Sequence, residues 1–583
     1  MFFEGRQSNY EKHPYKIIEG YDVYQGYESI LNCLKDDIQK LKKESVVVCM
    51  DFYHGTRNDE VLNNLILPLS PDHIIFSEDA KKSENEIQNL LGNNITDDRV
   101  FGVLTTEILD NLFDKSKLED LKKKIQPGLT VIYGVGASLV DSGDIHLYFD
   151  LTRWEIQLRY RSGELDNWGA GNFDEDILRK YKRGYFVEWR IFDRYKFKVL
   201  PECQYYVETN LKNVPKMISI EAYQDGLKTF AHSPFRLVPY FDEGIWGGTW
   251  MKEVCDLPDS KNNYAWCFDG VPEENSICFQ FKDIKVDVPA INLVHTYPNE
   301  LLGKRVHSRF GKEFPIRFDF LDTMNGGNLS LQVHPLTEYI QENFGMHYTQ
   351  DESYYILDAQ EGAHVYLGLK DGVELDDFIE ALKESQRTGN RFEDEKYVNN
   401  IPVQKHDHAL IPAGTVHCSG SGSMVLEISA TPYIFTFKLY DWGRVGLDGK
   451  PRPINVDRGY DNIQTDRRTD WVMNNLIHRA TVIDKDEHML VERTGLHELE
   501  FIDTLRYSFD KEIVIKMNDT VHMLNLVEGE EIEVFSPTND FVPYHIHYVE
   551  TFIVPSAVKE YGLRPVGKSK GKTVKVICAS VRN

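Results

Sequence analysis

The sequence predicts a multidomain protein in which an N-terminal α/β module with a mostly parallel sheet precedes a β-rich region. The chain has 583 residues, which is too long for one ordinary hydrophobic core. Apolar strand patterns alternate with amphipathic helix patterns in the first 230 residues, whereas short alternating runs occur in the later part. We therefore predict a separate α/β domain over residues 1–230.

The N-terminal domain is predicted from apolar runs separated by helices. Its predicted elements are, in chain order, a helix at about 27–43, strands at Val46–Asp51 and near His73–Phe76, a helix at about 84–92, and strands at Leu129–Gly136 and Ile145–Asp150. Apolar strands that alternate with amphipathic helices favour a mainly parallel sheet.

This domain contains Asp-Phe-Tyr at 51–53, Tyr-Gly-Val-Gly-Ala at 133–137 and an arginine-rich stretch that ends at Gly184. In these segments it distantly resembles the later part of P-loop nucleoside kinases. The phosphate-binding motif Gly-x-x-x-x-Gly-Lys-Ser/Thr is missing from the sequence. The basic residues between 153 and 196 either bind an anionic ligand or, as we favour, pair with neighbouring acidic residues. We predict a kinase-like module that lacks catalysis.

A group of candidate metal ligands lies further along the chain. Ser330, Gln332 and His334 alternate in Ser-Leu-Gln-Val-His, so their side chains leave the same face of a strand. Glu352 follows eighteen residues after His334, and His417 follows a Pro-Ala-Gly turn. An amide oxygen, imidazoles and a carboxylate suit a divalent borderline cation. We expect zinc, with manganese or iron as alternatives; taken singly, each residue also fits an ordinary strand or turn role.

Several motifs together closely resemble the type I phosphomannose isomerases, which are zinc enzymes built on cupin-type β-barrels. The motifs are Pro239–Thr249, Tyr264–Gly270, Phe314–Asp322, Asn328–Pro335, Asp351–Tyr355, Ile411–Cys418 and Thr436–Arg444. The resemblance is collinear from about 236 to 583. It implies a metal-binding barrel over 236–460 with a helical insert around 374–386, and a second cupin-like barrel over 461–583.

The resemblance also implies the roles of individual residues. The metal ligands of the family correspond to Gln332, His334, Glu352 and His417. Glu427 occupies the position of an active-site carboxylate, and the alternative is that it is a buried carboxylate paired with a cation. His406 and His408 alternate on a strand just before His417, but they do not match ligand positions of the family.

Three positions depart from the family at groups expected around a sugar phosphate. Gln350 and Asp319 stand where the family has lysines, and Lys438 replaces its active-site arginine. A phosphate monoester carries roughly two negative charges and needs cations around it. We expect Ser330, Arg317 and Gln350 beside the substrate and Lys438 as a catalytic group. Arg317 alternates with Asp319, so a structural ion pair is the competing interpretation.

Composition limits the partners and the compartment. The formal net charge of -26 disfavours nucleic acid and anionic membranes as partners. No apolar run reaches the eighteen residues of a membrane span, and the eight cysteines are scattered without close pairs. We expect a soluble protein with reduced cysteines in the cytoplasm.

The predicted function is a metal-dependent aldose–ketose isomerase whose partner is a small sugar or sugar phosphate. Mannose 6-phosphate, converted to fructose 6-phosphate, is the substrate that the resemblance implies. The missing lysines leave two alternatives open: an isomerase of a non-phosphorylated hexose, and a metal-containing sugar-binding or sensor protein. The sequence does not indicate an oligomeric state.

Overall fold

The computed structural model describes residues 7–432, 434–446, 449–450, 452–495 and 497–582. The chain divides into two compact units. Unit 1 contains residues 7–14, 230–275 and 296–582, and unit 2 contains residues 15–229 and 276–295. Most regular structure is β-sheet, which confirms the prediction of a multidomain, sheet-rich protein.

The strands are numbered in chain order. They are β1 (Lys16–Ile17), β2 (Val23–Gln25), β3 (Ser45–Phe52), β4 (His73–Phe76), β5 (Gly128–Gly134), β6 (Ile145–Asp150), β7 (Tyr205–Glu208), β8 (Lys216–Ser219), β9 (Tyr240–Asp242), β10 (Trp266–Gly270), β11 (Ser276–Phe281), β12 (Ile284–Pro289), β13 (Ile316–Asp322), β14 (Leu331–Val333), β15 (Glu352–Ala359), β16 (His364–Leu369), β17 (Val398–Pro402), β18 (His408–Ile411), β19 (His417–Ser419), β20 (Ser423–Ala430), β21 (Phe437–Tyr440), β22 (Thr481–Lys485), β23 (Met489–Gly495), β24 (Ile502–Phe509), β25 (Ile513–Lys516), β26 (His522–Glu528), β27 (Glu531–Phe535), β28 (Tyr544–His547), β29 (Thr551–Val554), β30 (Glu560–Pro565) and β31 (Val574–Val581).

The α-helices are numbered in the same way. They are α1 (Tyr27–Leu41), α2 (Asn58–Val61), α3 (Glu84–Ile95), α4 (Lys115–Lys122), α5 (Arg153–Arg161), α6 (Ile177–Arg183), α7 (Trp189–Val199), α8 (Ile220–Ala231), α9 (Trp250–Val254), α10 (Ala290–Thr296), α11 (Pro298–Leu302), α12 (Lys304–Phe310), α13 (Thr337–Phe344), α14 (Leu375–Thr388), α15 (Asp394–Tyr397), α16 (Val456–Tyr460) and α17 (Thr469–Asn475). No helix among the described residues is long and apolar enough to cross a membrane.

The main sheet of unit 2 has seven strands in the order β2-β8-β7-β6-β3-β5-β4. The five strands from β7 to β4 are parallel to one another, and β8 and β2 add antiparallel pairs at one edge. The parallel strands β3 and β6 are almost wholly buried, as expected for strands covered on both faces. Local signals also agree with the fold, because Ser83 and Glu86 form a capping box at the start of α3.

Residues 276–295 differ from the predicted domain boundaries. They fall within the predicted barrel over 236–460, but in the structure they belong to unit 2. The reason is pairing: β11 runs parallel to β1 and antiparallel to β12, which forms a small sheet within unit 2. Asn292 of α10 also donates a hydrogen bond to Asp150 at the end of β6, over 3.1 Å.

Unit 1 is built from four antiparallel sheets. Their strand orders are β18-β15-β20-β13-β10-β9, β17-β16-β19-β14-β21, β22-β23-β24-β31-β26-β29 and β25-β30-β27-β28. The last two sheets share a hydrophobic core that includes Leu524, Ile532, Phe552 and Leu563. The first two carry the predicted metal ligands. Helix α14 spans nearly the same residues as the helical insert predicted around 374–386.

Candidate metal centre

One sheet of unit 1 presents a row of polar side chains on a single face. Gln332 of β14 is the direct cross-strand partner of His417 on β19 and of Lys438 on β21. Directly paired residues of antiparallel strands project to the same side of the sheet. The five-stranded sheet therefore places an amide, an imidazole and an amine side by side.

The six-stranded sheet presents a second polar face. Glu352 of β15 is the cross-strand partner of Ser429 on β20, which in turn pairs with Arg317 on β13. In the next row of the same face, Tyr354 pairs with Glu427, and Glu427 pairs with Asp319; all the residues of both rows are buried. The period of two along each strand produces this double row.

His334, Glu352 and His417 bring the two polar faces together. One ligand atom from each of these residues lies within 4.8 Å of the others. Nε2 of His334 is hydrogen-bonded to Oε2 of Glu352, and Nε2 of His417 lies 3.3 Å from the same oxygen. The Gln332 amide nitrogen lies 3.3 Å from Nε2 of His417. The four predicted donors thus converge, although they are up to 85 residues apart in the chain.

Backbone carbonyls fix the orientation of both imidazoles. Nδ1 of His334 donates to the carbonyl of Phe435 over 3.1 Å, and Nδ1 of His417 donates to the carbonyl of Thr415 over 2.8 Å. Each ring therefore points Nε2 toward the cluster. This arrangement, in which the remote ring nitrogen is held by a hydrogen bond, is the usual one for metal-binding histidines.

The chemistry of the cluster fits a divalent cation. Among the described atoms, Oε1 of Glu352 is buried and has no hydrogen-bond partner. Burial alone would raise the pKa of Glu352, but His334 and His417 hold it well below its ordinary value. Burial lowers the pKa of His334, which favours the neutral, metal-binding form. Rotation of the Gln332 amide would present its oxygen at the same point.

Arg317 lies in an ion-pair network rather than facing the cluster as a lone cation. It is paired with Glu427, and its Nε lies 3.1 Å from Asp319. Gln350 donates to Glu427 over 3.3 Å, and Ser429 donates to it over 2.9 Å. Burial raises the pKa of Asp319 to about 6 and that of Glu427 well above its ordinary value. The structural ion pair that competes with a substrate contact as the interpretation of Arg317 is therefore present.

Lys438 and Ser330 lie beside a second group of charges. Within the described part of the chain, the Lys438 amine forms no hydrogen bond or ion pair; burial, followed by the charge of Arg452, lowers its pKa to about 7. Ser330 donates to Asp441 over 2.8 Å and accepts a hydrogen bond from Arg452 over 3.0 Å. Arg444 also binds Asp441, over 2.7 Å.

Sequence reasoning missed three residues of this environment. Tyr354 could have been found, because it lies two positions after Glu352 on the same strand face. Asp441 and Arg452 follow β21 in irregular segments, where no periodicity predicts which way a side chain points. Only the tertiary structure shows that both residues form hydrogen bonds with Ser330.

Comparisons with known proteins assign the two parts of the chain to different relatives. Residues 26–232 match the model of a domain of unknown function, DUF8485. A mannose-6-phosphate isomerase of Bacillus subtilis, ManA, is 24% identical over 302 residues, covering 51% of this chain and 86% of the relative. The mannose-6-phosphate isomerase of Streptococcus mutans is 27% identical over 230 residues, covering 39% and 67%.

Solved structures of similar proteins include the mannose 6-phosphate isomerase from Bacillus subtilis, with a TM-score of 0.48 and 17% identity over 60% of this chain and 99% of that structure. Antiparallel sheets with a buried His, Glu and Gln donor set define the class as a β-sheet protein with a candidate metal centre. The similarity to curated relatives confirms the resemblance to the type I phosphomannose isomerases that the motifs indicate.

Proposed function

We propose that the protein is a metal-dependent aldose–ketose isomerase that interconverts mannose 6-phosphate and fructose 6-phosphate. The observation that carries this proposal is the buried convergence of His334, Glu352 and His417, with Gln332 beside them. The relatives named mannose-6-phosphate isomerase support the substrate. We infer that the two pairs of sheets in unit 1 form the cupin-type barrels of 236–460, without residues 276–295, and of 461–583.

Gln332, His334, Glu352 and His417 would hold one zinc ion, with manganese or iron as alternatives. The imidazole, carboxylate and amide donor set suits a borderline cation. A bound divalent ion would supply stabilisation of the negative charge that develops on the sugar oxygens during enolisation. The burial of all four donors, each at most 8% exposed, excludes most competing water from that point.

Lys438 is our candidate for the group that moves the proton between neighbouring carbons of the sugar. It lies on the same face of the sheet as Gln332 and His417, and no carboxylate of the described residues pairs with its amine. A general acid or base works best when its pKa lies near the working pH. Glu427 is the second candidate, and its contact with Arg317 favours a supporting role that keeps the Arg317 side chain in place.

Ser330, Gln350 and Arg317 are our candidates for contacts with the substrate. Ser330 is joined to Arg452, so this part of the site offers a hydroxyl and a guanidinium close to Lys438. These groups could take the place of the two family lysines, which are Asp319 and Gln350 in this chain, because a phosphate needs cations or strong donors.

Unit 2 is, in this proposal, a kinase-like module without catalysis. The eight buried free cysteines support a reducing compartment, the cytoplasm.

The test is formation of fructose 6-phosphate from mannose 6-phosphate by the zinc-loaded full chain. His417→Ala should lose both zinc and turnover, whereas His307→Ala, a surface histidine on α12 outside the cluster, should keep both. Turnover of a free hexose but of no hexose phosphate would show that the substrate is a non-phosphorylated hexose. Binding of sugar without solvent hydrogen exchange at C1 or C2 would instead identify a sensor.

A further inference from the structure

The turn 412–415 connects all three segments that carry the charged or imidazole donors. The backbone N–H of Gly414 donates to the carbonyl of His334 over 2.9 Å. The N–H of Ala413 donates to the Asp351 carboxylate over 3.0 Å, and Asp351 immediately precedes Glu352. The carbonyl of Thr415 holds Nδ1 of His417 over 2.8 Å. A shift of this turn would therefore move all three ligand-bearing segments.

Arg467 holds the turn from outside. Its Nη1 lies 2.8 Å from the carbonyl oxygen of Pro412, 2.5 Å from that of Ala413 and 2.6 Å from the hydroxyl of Thr415, and these three acceptors share its two N–H groups. Arg467 is only 6% exposed, and its guanidinium lies over the ring of Trp471 at 5.5 Å. A rigid guanidinium plane that donates to several acceptors fixes their relative positions better than a flexible amine does.

The segment 462–467, which contains Arg467, makes further contacts with the turn 412–415 and with the loop after His334. The N–H of Gln464 donates to the carbonyl of Gly414 over 2.9 Å. The side chain of Asn462 accepts from the N–H of Leu336 over 2.8 Å, two residues after His334. Residues 462–467 thus contact both histidine-bearing loops while supplying no ligand themselves.

We propose that Arg467 is a positioning residue of the metal centre, which acts through the turn 412–415 to set the separation of His334, Glu352 and His417. The proposal rests on the proposed function, since it requires that these residues bind a metal. Groups that orient ligands in this way typically contribute about 10–100-fold in metal affinity. Small errors in ligand placement are enough to lose such a contribution.

The experiment compares Arg467→Ala with Arg468→Ala in the full chain. Arg468 is its neighbour, but its side chain donates to the carbonyls of Thr465 and Val373, over 2.9 and 2.5 Å, and not to the turn 412–415. We expect Arg467→Ala to weaken zinc binding by about 10–100-fold in chelator competition. The visible absorption of the Co²⁺-loaded variant should also change in position or intensity. Arg468→Ala should match the wild type in both measurements.

Two milder variants keep the test decisive if Arg467→Ala does not fold. Thr415→Val removes one partner of Arg467 at constant side-chain shape, and Arg467→Lys keeps the charge without the planar fork. Each variant should weaken zinc binding by less than Arg467→Ala and should change the Co²⁺ spectrum, and a cooperative urea transition shows that the variant is folded.

Wild-type zinc affinity and a wild-type Co²⁺ spectrum in the folded variants would overturn the positioning role while leaving the proposed function intact. A wild-type protein that binds neither ion would overturn both, so the two failures are distinguishable.

Discussion

Gln332 on β14 and Lys438 on β21 are direct cross-strand partners, so a proposed metal donor and an amine that has no carboxylate partner among the described residues lie on the same face of adjacent strands. This relationship separates two functions that mutagenesis can address independently. One residue would bind the ion, and the other would act on the sugar. The first prediction follows from this division.

Lys438→Ala should retain zinc but lose turnover. A positioned general acid or base contributes about 10²–10⁴-fold to the rate, so kcat for fructose 6-phosphate formation should fall by that factor. Zinc content, measured by elemental analysis, should stay equal to that of the wild type. Lys572→Ala, in an exposed turn, is the control. Unchanged kcat in Lys438→Ala would assign the proton transfer to another group.

Arg317→Ala should destabilise the fold by about 3–5 kcal/mol, because it leaves buried carboxylates without their cation. Glu427 and Asp319 are the carboxylates concerned, and both lie below 6% exposure. Urea unfolding would measure the loss. Arg387→Ala removes an exposed pair with Glu384 and should change stability by only about 0.5 kcal/mol or less. Equal effects of the two substitutions would contradict a buried network.

Gly414→Ala should cost more stability than Gly362→Ala. Both glycines have nearly the same left-handed φ, +86° and +84°, so the backbone strain of alanine should be similar, about 1–2 kcal/mol. A Cβ at Gly414 would lie 2.7 Å from Cγ of Gln464 and 2.9 Å from the carbonyl of Asn462, whereas Gly362 has open space. The additional overpacking should cost about 1–3 kcal/mol. Thermal or urea unfolding of both variants checks the difference.

Glu528 should contribute stability that is lost in acid. His406 donates to it over 2.9 Å, and this bond, with Lys405 at 3.0 Å, lowers the pKa of Glu528 from 4.5 to about 2 in spite of partial burial. A carboxyl whose pKa is depressed on folding stabilises the protein fully above its unfolded pKa. The contribution should therefore be present above pH 4.5 and disappear as the pH falls toward 2.

The measurement for Glu528 is the difference in urea midpoint between the wild type and Glu528→Gln. The difference should be largest at pH 6 and should shrink at pH 3. Glu361→Gln, on the exposed turn before β16, provides the control for general acid effects. A difference that grows in acid would contradict the assigned sign.

The convergence of the four candidate donors could be predicted from the sequence, because strand periodicity and motif order both constrain where these residues lie. Ser330, Gln332 and His334 alternate as expected, although His334 lies just beyond the end of β14. The sequence could not decide whether Arg317 contacts the substrate or forms a structural ion pair, since an alternating Arg-x-Asp pattern fits both roles. That decision depended on Glu427, which comes from a strand 110 residues away.

The assignment of residues 276–295 to unit 2 was also hard to predict, because it depends on contacts between segments that are far apart in the sequence. Pairing of β1 with β11 joins segments that are more than 250 residues apart, and short strands carry little local signal. The contacts of Arg467 likewise could not be predicted from a motif, because they are made with backbone carbonyls of a turn that is distant in sequence. Periodicity predicts which face a residue occupies but not which remote group it meets.

The chain passes between the two units at four points, near residues 14, 229, 275 and 295. No single cut can therefore release either unit whole: a fragment that ends near residue 230 lacks β11, β12 and the part of α10 that belongs to unit 2, and a fragment that starts there lacks residues 7–14. A fragment that keeps the whole of unit 2 must therefore either extend from residue 15 to residue 295 and include residues 230–275 of unit 1, or join residue 276 directly to residue 229.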